Sequence, residues 1–156
     1  MGERMDKRIR FYLYWILGLV FLGACAPGDE EDVYTEMRAF EDFSRINGDS
    51  VAIVPRKVRL KALQKMEEAK DSLVKYNYLA MTLKTYLITS QLDSAQIVIQ
   101  QIHDFIERQH SSSQMADLES ECFNMKGNIF ARVGNMHSAE ICFRKAYELR
   151  MRVTRI

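Results

Sequence analysis

A chain of 156 residues has room for one ordinary domain. Its composition, 47% hydrophobic and 28% charged with two prolines and seven glycines, excludes a disordered or collagen-like chain and favours long elements, helices above all. A formal net charge of +1, with acids and bases interspersed, excludes the strongly basic surface that nucleic acid requires.

The first residues have the order of an export signal. Arg4, Lys7, Arg8 and Arg10 precede an apolar run from Phe11 to Leu22, which ends in the small residues Gly23 and Ala24 before Cys25. Counted generously, the run is shorter than the roughly 20 residues that cross a ~30 Å hydrocarbon core, so a cleaved signal is expected rather than a membrane span. Leu22-Gly23-Ala24-Cys25 resembles the lipobox of bacterial lipoproteins. The resemblance implies lipid on the Cys25 thiol and cleavage after Ala24, leaving residues 1–24 as signal peptide. Acyl chains then anchor the protein stably, each buried methylene contributing about 0.8 kcal/mol. The expected place is the cell envelope, membrane-anchored and facing the periplasm or the cell surface.

Residues 25–32 read as the lipidated cysteine and an acidic tether, Asp29-Glu30-Glu31-Asp32. Val33, Met37, Phe40 and Phe43 then recur at helical steps up to Asn47-Gly48, a left-handed stop. Asp49 to Val54 is a break, since Pro55 disfavours helix in the residue before it. From Pro55, the residues Val58, Ala62, Met66, Ala69 and Leu73 form one stripe of a second helix. Residues 33–75 are thus expected to form a helical hairpin.

Leu92-Asp93-Ser94-Ala95 and Met136-His137-Ser138-Ala139 are one turn written twice. Around the later copy stand Phe123, Gly127, Phe130, Gly134, Ala139, Phe143 and Ala146. These residue types at these offsets resemble the tetratricopeptide repeat, two antiparallel helices with small residues at the closest approach and aromatics in the wedge. Lys126 departs from the pattern, which usually has leucine there. The earlier copy, with Leu79, Leu83, Tyr86, Ala95, Ile99 and Ile102, lacks both glycines. The resemblance implies a degenerate repeat over 76–109 and a better one over 120–153. The repeated alanines are wider apart than the family's spacing, so 110–119, with His110-Ser111-Ser112-Ser113, is expected to hold an extended loop and a helix start, capped by Ser112 or Ser113. The expected fold is all-α: antiparallel helical hairpins, about six helices, stacked as a short solenoid like that of the tetratricopeptide repeat, after an N-terminal signal segment.

In that family the first helix of each repeat lines a concave groove. Carried over by register, the groove comprises Asn77, Met81, Lys84 and Leu87 from the earlier repeat, then Glu121, Asn124, Met125, Asn128 and Arg132 from the later one. Ala80, Ile88 and Ala131 lie among them. Half apolar and half amide or charge, it suits an extended peptide. The lysine and asparagine clamp that some family members use on a carboxylate terminus is absent, because Asn124 stands at its lysine position.

Chemistry is not legible. There is no Gly-rich phosphate loop, nucleophile elbow or paired catalytic carboxylate. His103, His110 and His137 lack a second ligand at metal spacing. No catalytic residue, metal or cofactor is therefore expected. Cys122 and Cys142 would stand about five residues out of register across the hairpin, roughly 7 to 8 Å along the axis. A disulfide needs alpha carbons within about 7 Å, so both are expected as small core residues.

The expected function is a membrane-anchored, non-catalytic scaffold that binds a peptide or protein partner. The chain is also similar to the extracytoplasmic repeat regions of some membrane sensor histidine kinases, and the alternative is a truncated or detached sensory region of such a kinase. The last helix carries Ile141, Phe143, Tyr147, Leu149, Met151 and Val153, more apolar residues than one hairpin partner covers, and marks a surface for self-association or a partner.

Overall fold

The computed structural model describes residues 28–109 and 113–153. Among them are seven helices and no strand: α1 Gly28–Asn47, α2 Ser50–Ile53, α3 Pro55–Glu68, α4 Ser72–Ile88, α5 Leu92–Arg108, α6 Ser113–Arg132 and α7 Met136–Val153. The chain divides between Tyr34 and Thr35 into two units, and the helical bundle is the second. No helix among the described residues is long and apolar enough to cross a membrane. Cys25, the signal segment before it, His110, Ser111 and Ser112 lie outside the described residues.

Apolar residues at three- and four-residue steps explain the core. Leu73, Ala80, Leu83 and Leu87 of α4 meet Ala95, Val98, Ile99, Ile102 and Phe105 of α5 and Leu118, Cys122, Met125 and Ile129 of α6. Tyr76 and Phe105 stack face to face, ring centroids 3.9 Å apart. Ala139, Cys142, Ala146 and Leu149 make the buried stripe of α7, which packs along α6. That pairing is antiparallel: Gly127 lies against Phe143, and the buried Ser120 hydroxyl donates to the Ala146 carbonyl at 2.8 Å.

The two repeated turns share one backbone conformation. Gly134 has φ +78° and Ser90, at the equivalent place, φ 57°. Asn135 N–H bonds the Phe130 carbonyl at 2.9 Å and Gln91 N–H bonds the Tyr86 carbonyl at 2.9 Å, the same six-residue closure of a helix end. Glycine enters this left-handed region freely, whereas serine bears a steric penalty there.

Four expectations of the sequence are corrected. The acidic stretch 29–32 belongs to α1 rather than to an open tether. Residues 49–54 are not a plain break, because Ser50–Ile53 forms a helical turn that buries Val51. Residues 33–75 do not form a hairpin of two helices. The stripe through Ala69 and Leu73 is cut by extended backbone at Ala69, and Asp71 caps α4 by accepting from Val74 N–H at 2.9 Å. Helix α3 consequently packs along α4, while α1 reaches the bundle through Phe40 and Phe43, both edge-on to the Tyr78 ring. Finally, of the extended loop expected within 110–119, residues 113–119 are helical: α5 runs to Arg108 and α6 starts at Ser113, where a helix start was expected. Phe105, Ile106, Met115 and Leu118 all pack in the core, so the extra length lengthens the helices.

Candidate functional site

Helix α4 is buried on several sides, and its remaining face is the floor of a groove. Asn77, Ala80, Met81 and Lys84 of α4 line a cavity of about 170 Å³, walled by Phe40 and Ser44 of α1, by Asp117, Leu118 and Glu121 of α6, and by Arg150 of α7. Further along, Lys84, Leu87 and Ile88 line a second cavity of about 300 Å³ with Gly48, Val51 and Ala52 on one side and Met125, Asn128 and Arg132 on the other. Lys84 lines both, so the two cavities adjoin at that residue.

Charge is distributed unevenly along it. The Lys84 ammonium lies 3.1 Å from Glu121 Oε1, and Arg150 lies 3.8 Å from Glu121 Oε2. The Lys84 contact is an ion pair off the hydrogen-bond line: Oε1 is shut from solvent and accepts no hydrogen bond among the described residues. At the other end the Arg132 guanidinium donates to the Leu87 carbonyl, the negative end of α4. These cations hold α4, α6 and α7 together, leaving amides as the neutral polar groups of the groove. Asn77 and Asn128 each donate their side-chain NH2 to a carbonyl one turn back, Leu73 at 3.0 Å and Asn124 at 2.9 Å. Their side-chain oxygens are thereby turned away from the helix backbone and can accept from a ligand's N–H.

Of the groove residues expected from sequence, Asn77, Met81, Lys84, Leu87, Glu121, Met125, Asn128 and Arg132 line these cavities. Met81, Leu87 and Met125 form the buried floor, while Lys84 and Arg132 stand exposed at the rim. Asn124 is not brought in and lines neither cavity. The far wall, Phe40, Ser44, Val51 and Ala52, was missed, because it comes from α1 and α2, outside the repeat pattern. Its one sequence signal is the aromatic step from Phe40 to Phe43.

Another depression, about 430 Å³, opens between Met66 and Glu67 of α3, Lys75, Tyr76 and Leu79 of α4, and Gln101 of α5. On α5, His103, Asp104 and Glu107 hold ligand atoms within 4.8 Å of one another, a grouping the sequence was not expected to make. His103 Nδ1 lies 3.5 Å from Glu107, an ordinary contact one turn apart on a solvated helix face. Cys122 and Cys142 are buried and unbonded to each other. Burial pushes the Cys122 thiol up to about 12, helped by Glu121 and Glu119, and raises that of Cys142 against the opposing pull of Lys126. No protein-family model, no curated protein and no solved structure matches the chain.

Proposed function

We propose that the protein is a binding scaffold of the bacterial cell envelope, held at a membrane by lipid on Cys25, that takes an extended peptide or protein segment in the groove over α4. One observation carries this reading: residues selected by the repeat register from two separate stretches of chain line two cavities that adjoin at Lys84. Its apolar floor and amide acceptors match the needs of an extended strand, side-chain pockets below and backbone N–H groups to be received. The repeat resemblance is supported by the matching turns at Ser90 and Gly134, by the burial of Ala95 and Ala139, and by the close approach of Gly127 to Phe143. The chain reads as a scaffold rather than an enzyme, since Lys84, Glu121 and Arg150 are engaged with one another and Arg132 with the Leu87 carbonyl.

Two arms test it. Labelled palmitate should enter the wild type and not a Cys25→Ser variant; unlabelled wild type removes the lipoprotein part alone. A displayed library of random peptides should yield binders that Asn128→Arg abolishes and Gln96→Arg, on the exposed side of α5, leaves intact. Selected peptides indifferent to Asn128→Arg in a folded protein would remove the groove part.

A further inference from the structure

The outward side of α7 carries an exposed apolar stripe: Met136 and Tyr147 are each 65% exposed and Phe143, whose ring lies against Gly127, keeps 37%, at positions i, i+11 and i+7 of one helix face. Beside it Glu140, Arg144, Glu148 and Arg152, all exposed, recur every four residues, and Arg144 is ion-paired with Glu140 of its own helix at 2.6 Å, which leaves Glu148 to receive an outside cation. Each four-residue step overshoots one turn by about 40°, so the charges wind away from the stripe, and Arg144 and Glu148 are the pair that lies between it and the exposed Ile141.

The order acid, base, acid, base determines what fits against this face. Reversing the helix direction exchanges the signs position by position. A second α7 laid antiparallel, with its midpoint near Ala146, sets Arg144 against Glu148 of the second copy. The two-fold axis repeats each pairing. A parallel copy in register would instead set each charge against its like. Of the two-fold arrangements, which an isologous interface requires, only the antiparallel one makes the face complementary to itself. Methionine and aromatic residues flanked by charges are also the usual make-up of an interface centre and rim.

We propose that α7 pairs antiparallel with α7 of a second copy of the chain, burying Phe143 and Tyr147 and linking Arg144 of each copy to Glu148 of the other. The pairing is independent of the peptide groove, whose walls come from α1, α2, α4 and α6 with only Arg150 contributed by α7.

The test uses the full chain, purified in detergent, with sedimentation velocity over a wide concentration range. The wild type should pass from monomer to dimer. Arg144→Glu and Glu148→Arg should each weaken the dimer at least tenfold, and the double exchange should restore it. Tyr147→Glu should weaken it without charge rescue. Circular dichroism melting confirms that each variant is folded. A wild type that stays monomeric overturns the proposal and leaves the stripe to a different partner. A dimer indifferent to the single reversals overturns it as well, and places self-association elsewhere on the chain. Folded single variants that the double exchange fails to rescue overturn the antiparallel pairing.

Discussion

Gly127 and Phe143 meet so closely that a β-carbon built on the glycine would stand 2.6 Å from the phenyl Cε1. Gly127→Ala therefore opposes two effects. Replacing a mid-helix glycine gains about 1 kcal/mol of helix propensity, whereas forcing the ring outward costs about 1 to 3 kcal/mol. The net expectation is a loss of about 1 kcal/mol in denaturant unfolding. In a Phe143→Ala background the clash is gone, and Gly127→Ala should stabilise by about 1 kcal/mol. A double-mutant cycle with no coupling would show that the ring yields freely.

The paired turns predict opposite responses to the same kind of change. Ser90 holds a left-handed conformation at φ 57°, so Ser90→Gly should stabilise by roughly 1 kcal/mol. Gly134 holds φ +78° with open space around it, and Gly134→Ala should destabilise by a similar amount through backbone strain alone. Thermal melting of the two variants checks both signs together. Equal and negligible shifts would mean that the helix ends fray instead of locking.

Local signals in this sequence were readable, and contacts between distant elements were not. The stripes of α4, α5 and α6 and the duplicated turn were visible because helical period and turn chemistry are written within a few residues. Eight of the nine residues that this register selects on α4 and α6 line the two cavities, and Asn124 does not. The break at Ala69 escaped because an apolar stripe continues in phase across it; the only local marker is Asp71 as a cap, with no glycine or proline beside it. Nor could periodicity show that Phe40 and Phe43 turn towards Tyr78, 35 or more residues away, or that α1 and α2 wall the groove.

Glu36 shows the same limit at the level of one side chain, and it carries a pH dependence. Its carboxylate accepts from the backbone N–H of Lys70 at 3.0 Å and of Asp71 at 2.9 Å, joining α1 to the start of α4. These bonds to the charged form, that from Asp71 foremost, hold the Glu36 carboxyl below its ordinary 4.5. A depressed carboxyl stabilises the fold above its unfolded value and loses that contribution as pH falls through the folded value. Glu36→Gln should therefore destabilise at pH 7, with the gap to wild type closing as pH falls below 4.5. Denaturant midpoints measured from pH 7 to pH 3 test this, and a gap constant across that range would assign Glu36 no charged role.

The buried thiols make the last prediction, and its sign is the reverse. Cys122 lies in the core among residues of α4, α5 and α6, and desolvation pushes its thiol from an ordinary 9.0 up to about 12. Near pH 8 the native thiol is therefore neutral and enclosed, and an alkylating reagent can reach it only when the bundle opens. Iodoacetamide should modify Cys122 and Cys142 slowly in the native protein and rapidly in denaturant, with peptide mass mapping to separate them from Cys25. Because the folded value is raised, the unfolded chain ionises first as pH rises, and stability should decline from about pH 9 towards the folded value of Cys122. Cys122→Ala removes the titrating group; it should lower stability at pH 7 by leaving a small cavity, yet flatten the alkaline decline. Rapid modification of Cys122 in a protein that remains helical would show instead that α6 detaches from the core while the rest stays folded.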